Sequence, residues 1–129
     1  MKAAALVAFL GALWGSLATG AMAASLTTDA EGVRVELSSA PETPVKNRKT
    51  AYTVRLVDTT GKPITDARVT LTARMADGMS AAAPLRPAGE PGFYRGEVLF
   101  TMEGRWDLTV RVVRQAGRLE IPVREEVAR

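Results

Sequence analysis

The sequence predicts an all-β fold: an immunoglobulin-like antiparallel β-sandwich of about six or seven strands. Three observations carry that expectation. Apolar side chains recur with a period of two along most of the chain from Val33 onward, the spacing of strands with one face buried and one face in water. Clusters of Gly, Pro and Asp interrupt these runs at short intervals, as turns between strands do. No stretch after the N-terminal segment shows the 3.6-residue apolar repeat of an amphipathic helix.

The chain opens with Met1 and Lys2 and then carries no charged side chain until Asp29. An apolar run from Ala3 to Leu17 is followed by the small-residue triplet Ala21, Met22, Ala23. This is the layout of a secretory signal peptide over residues 1–23, cleaved before Ala24, which leaves residues 24–129 as one domain. The alternative is an uncleaved membrane tether, because the uncharged stretch is long enough to cross a hydrocarbon core of about 30 Å. Either reading makes the domain periplasmic or otherwise exported.

The polar segment from Ser25 to Gly32 reads as a flexible lead-in. Val33, Val35 and Leu37 then alternate with Arg34, Glu36 and Ser38 as a first strand. Ser39 to Lys49 holds Pro41 and Pro44, which supply no amide donor, so this piece is expected to cross between sheets as a loop. Tyr52, Val54 and Leu56 define a second strand, ended by the turn cluster from Asp58 to Pro63. Val69, Leu71, Ala73 and Met75 mark the inward side of a third. Ala76 to Pro91, rich in Gly and Pro, reads as a long loop with a short irregular strand near Ala83 to Leu85.

The stretch from Gly92 to Val112 has the clearest pattern. Tyr94, Gly96, Val98 and Phe100 alternate with charged neighbours, and so do Trp106, Leu108, Val110 and Val112, with Glu103 and Gly104 between the two runs. The expectation is a hairpin turning at that acidic-Gly pair, since glycine takes a positive φ without a steric cost. Leu119, Ile121 and Val123 form a last strand, placed at a sheet edge by Pro122, and Arg124 to Arg129 reads as a polar tail.

These residues resemble a known family. Asp58, Gly61, Lys62, Pro63, Ala67 and Val69, followed by a Met-bearing loop and then Gly92, Tyr94, Arg95, Gly96, Val98, Phe100, Met102, Gly104, Arg105, Trp106, Leu108 and Val110, are similar to the pattern of the YtkA-like domain family, to which FixH-type proteins are related. The resemblance spans Val33 to Val123. It implies an exported or membrane-tethered β-sandwich without catalysis, acting as an accessory protein in copper handling, in oxidase assembly or metal efflux, beside a partner in the cell envelope.

Composition narrows the chemistry further. The chain has no Cys and no His, which removes disulfides, thiol catalysis, imidazole bases and the commonest metal ligand. Ser25, Ser38, Ser39 and Ser80 have no base to activate them, and Asp58, Asp66 and Glu97 lie in turns or on outward positions. An enzyme is therefore not expected. The net charge of +3 is modest and its Arg residues are spread along the strands, so no nucleic-acid surface is expected either. Arg95 and Arg105 are read as surface partners of Glu97 and Asp107.

Thioether sulfur remains as a ligand. Met75, Met79 and Met102 are the methionines outside the N-terminal segment, and three such soft donors brought together suit Cu(I). The bland alternative is packing, with Met75 continuing the inward parity of its strand as core filler, and Trp106 as a core anchor. Two functions follow: an accessory module linked to copper, or a purely structural or protein-interaction module without metal, whose contact surface is the Leu119–Val123 edge or the loop from Ala76 to Pro91.

Overall fold

The computed structural model describes residues 25–129, and the expected signal peptide at residues 1–23 lies outside the described residues. Eight antiparallel strands follow in order: β1 (Ser25–Ala30), β2 (Val33–Ala40), β3 (Lys49–Asp58), β4 (Arg68–Arg74), β5 (Ser80–Pro87), β6 (Phe93–Leu99), β7 (Gly104–Arg114) and β8 (Gly117–Val127). Hydrogen bonding runs β1-β2-β3-β6-β5-β4-β7-β8. The ladder folds over at β5, whose first six residues pair with β4 while Arg86 and Pro87 pair with β6. The result is a nearly closed sandwich with β1 and β8 as its free edges.

The inward parity expected for the strands holds throughout. Val33, Val35, Leu37, Tyr52, Val54, Leu56, Val69, Leu71, Tyr94, Val98, Trp106, Leu108 and Val110 are all buried in one core. Alternation is enough to place them, because successive side chains of a strand leave on opposite faces. Charges on the outer faces pair across neighbouring strands, as in Arg55 with Glu36 and Arg111 with Glu120.

The pairing of strands differs from the expectation in several places. β6 and β7 do not form a hairpin: β6 bonds to β3 and β5, and β7 bonds to β4 and β8. Residues 100–103 carry the chain from one sheet to the other, so the two apolar faces meet across the core, with the Phe100 and Trp106 rings 5.1 Å apart edge to face. The polar lead-in is strand β1, joined to β2 by Glu31 and Gly32, both at positive φ. A two-residue hairpin turn of type I′ has positive φ at both of its central residues, which matches this pair. The same acidic-Gly signal thus makes a hairpin at the first position and a sheet crossing at the second.

The long loop contracts to a turn at residues 75–79, with Gly78 N–H donating to Met75 O, followed by the full strand β5. Alanine at positions 81 to 83 conceals the alternation, because its small side chain gives little contrast between faces. β5 passes so close to β6 that a Cβ on Gly96 would stand 2.5 Å from the Pro84 carbonyl oxygen. The expected polar tail is mostly strand: residues 124–127 form the end of β8, which continues to Val127. The segment expected to cross between sheets from Ser39 to Lys49 does not: Ser39 and Ala40 end β2, Lys49 begins β3, and β2 and β3 are antiparallel neighbours in one sheet, so residues 41–48 make a long connection whose prolines keep it out of the ladder. Its Val45 bridges Ala128 in parallel, laying the loop against the end of β8.

Candidate functional site

The residues of interest gather at the end of the sandwich where β4 finishes and β5 and β7 begin. The register of β4 on β5 ends with Arg74 opposite Ser80, and one step further the Met75 N–H donates to the Met79 carbonyl at 2.8 Å. Met75 and Met79 are therefore cross-strand neighbours on the inward side. On the other flank of β4, Arg74 faces Asp107, so Met75 comes next to the position of Trp106, and Trp106 in turn faces Glu125 of β8. A row of Met79, Met75, Trp106 and Glu125 thus crosses the inner face of this sheet.

Met75 packs against the core, and its Cε stands 3.2 Å from where a Cβ on Gly104 would be. Met102 lies in the crossing just before that glycine, and its carbonyl accepts the Trp106 indole N–H at 3.0 Å. Met79 is 39% exposed and Met102 42%, whereas Trp106 is 1% exposed. All three methionines stand at one end, two of them open to solvent beside a third that packs inward. Around them, Lys46 and Arg129 both approach Glu103, at 3.1 and 3.2 Å, and the Lys46 hydrogen bond holds that carboxyl below its usual range. No group of three or more His, Cys, Asp or Glu that could hold a metal occurs among the described residues.

At the far end of the row lies a feature that the sequence reading placed in a polar tail. Tyr52, fully buried in β3, donates its hydroxyl to Glu125 Oε2 at 2.8 Å across the sandwich. Burial pushes the Glu125 carboxyl up, with the Tyr52 hydrogen bond opposing it, and burial next to this carboxylate pushes the Tyr52 phenol up as well. The pair closes the inner wall of an open groove of about 320 Å³ between β8 and the β1-β2 edge. Two signals could have found it: Glu125 keeps the odd-numbered inward parity of Leu119, Ile121 and Val123, and a buried tyrosine hydroxyl needs a partner.

The expected partners of Arg95 and Arg105 are engaged elsewhere. Glu97 is approached by Lys49 at 3.9 Å, and Asp107 by Arg124 at 3.8 Å. Arg95 instead lies across from Arg86, because β6 meets β5 there.

A YtkA-like family model matches residues 27–111. The chain belongs to the YtkA-like family. Members of this family are non-catalytic, exported accessory domains, and this YtkA-like chain is a β-structured accessory domain of that kind. No curated protein matches it. Among solved structures, the domain is similar to a DUF4426 family protein from Pseudomonas aeruginosa PAO1, with 14% identity, a TM-score of 0.64, and coverage of 81% of this chain and 94% of that one. It is also similar to the filamin domain of Lin-41, with 18% identity, a TM-score of 0.55, and coverage of 86% and 99%. At such identities the likeness is one of fold. No helix among the described residues is long and apolar enough to cross a membrane.

Proposed function

We propose that this YtkA-like domain is an accessory module in copper handling at the cell envelope, taking Cu(I) at the end where Met75, Met79 and Met102 lie. The observation that supports this reading is the cross-strand pair Met75 and Met79, tied by the 2.8 Å backbone hydrogen bond, with the Met102 crossing beside it. Three neutral thioethers are a soft donor set, which fits Cu(I) and fits Zn²⁺ or Cu²⁺ poorly. The domain would hold or pass the ion during oxidase assembly or metal efflux, beside an envelope protein partner. An N-terminal signal, cleaved or kept as a tether, would place it there.

The test is a titration of the full chain with Cu(I) against a competing chromogenic chelator, alongside a variant with Leu at all three methionine positions. Stoichiometric capture that disappears in the variant supports the reading. Capture that survives the variant, or no capture by the natural chain, overturns it and leaves a metal-free structural or protein-interaction module.

A further inference from the structure

The groove beside Glu125 has no part in copper capture, and its chemistry asks for a different occupant. Its lining includes the apolar Leu26, Leu37 and Val123, the hydrogen-bonded pair Tyr52 and Glu125, and Arg124. Leu26, from the outermost strand β1, is 38% exposed although it faces the same way as Leu37 behind it. An apolar side chain held in that position is a wall without a filling.

Glu125 makes no ion pair among the described residues, and the one hydrogen bond it receives, from Tyr52, goes to Oε2. Its Oε1 has no protein partner among the described residues and is not sealed from solvent. Arg124 also contributes to the lining, but its guanidinium turns to the outer face, where it approaches Asp107 at 3.8 Å and leaves Glu125 without a cation. A half-buried carboxylate is costly unless a cation or further donors meet it. The groove is therefore complementary to positive charge.

We propose that this groove docks an extended segment of a partner protein through a lysine side chain, the ammonium meeting Glu125 Oε1 and the segment lying along the free edge of β1. A single available oxygen suits a compact ammonium and not the two-pronged guanidinium of arginine, which favours both oxygens of a carboxylate. The four-carbon stem of lysine covers apolar surface on its way to a buried charge, and Leu26, Leu37 and Val123 offer that surface. The choice of edge follows from Pro122. It denies β8 a donor in mid-strand, whereas the outer side of β1 is unpaired and contains no proline.

Fluorescence anisotropy of the full chain with a fluorescein-labelled peptide, Thr-Val-Thr-Lys-Val-Thr-Val, tests this against the same peptide with norleucine replacing lysine. The expected result is saturable binding that weakens at least about tenfold with norleucine and with Glu125→Gln, which still accepts the Tyr52 hydroxyl. Binding should also fall as salt rises. Should Glu125→Gln fail to fold, Leu26→Lys at the exposed rim places a competing ammonium in the groove and is expected to lose a similar factor. Equal binding of the two peptides, binding unchanged in both variants, or no binding by the natural chain overturns the proposal. Displacement by equimolar n-butylamine overturns the peptide as occupant and assigns the groove to free amines.

Discussion

Met79 and Glu125 stand at opposite ends of one row across the inner face of the β5-β4-β7-β8 sheet, and the two ends are built from opposite chemistry. At the first, uncharged thioethers sit open to water and need no partner. At the second, a carboxylate is drawn half out of water and fixed by the buried phenol of Tyr52. Trp106 lies between them, buried, with its indole N–H spent on the Met102 carbonyl. The difference concerns what exposure means. A methionine loses little by being left alone, so its function must be measured, while a half-buried acid without a cation carries an energetic cost that points to a missing ligand.

The largest expected effect joins the two ends. Trp106→Ala should lower the stability to urea by about 3 to 5 kcal/mol, because a fully buried indole leaves a cavity that its neighbours only partly fill. A loss below about 1 kcal/mol would mean that the ends do not depend on a shared anchor. Tyr52→Phe should act on the acidic end alone, costing about 1 to 2 kcal/mol for the lost hydrogen bond to a charged group. It should also push the Glu125 carboxyl higher still, since the Tyr52 hydroxyl is what holds it down. Carboxyl NMR titration of the two proteins would read this, and a lower value in the variant would contradict it.

The acidic end alone should respond to pH in an inverted sense. A carboxyl raised by burial binds its proton more tightly folded than unfolded, so its stabilisation is complete below the unfolded value and is lost as pH rises through the folded one. Tyr52 is the titratable group facing it, while Arg124 and Glu126 point to the outer face. Relative to Glu125→Gln, the natural chain should therefore melt progressively earlier as pH rises above the ordinary carboxyl range of about 4. A constant difference would remove the burial argument. The smallest effect belongs to the other end: Met79→Leu and Met102→Leu should each stay within about 0.5 kcal/mol of the natural chain, so that any change in Cu(I) capture is one of ligation. A larger loss would make these side chains structural.

Much of the fold was legible along the chain. The strands β2, β3, β4, β6 and β7 were visible because their apolar side chains are large and strictly alternate. β1 was hidden because Thr27, Thr28 and Asp29 read as linker, and because none of its inward positions is buried in the core: Leu26 lines the groove and Thr28 and Ala30 are only half-buried. β5 was hidden by its alanines and by Pro84. The methionines were legible as residues, and so was the inward role of Met75. Glu125 was not, because a charged side chain at an inward position looks like the end of a strand until the buried hydroxyl opposite it is known.

The sequence by itself determined which side chains face inward, through the two-residue period that the covalent geometry of a strand imposes. It also determined the family, through the spacing of Gly, Tyr, Met and Trp from Gly92 to Val110. Only the tertiary structure decided which strands are neighbours. β6 and β7 follow each other in the chain yet lie in different sheets, and Tyr52 meets Glu125 across a separation of 73 residues. Local pattern carries no term for such pairings, because they depend on the packing of the whole core and on how the chain folds over at β5.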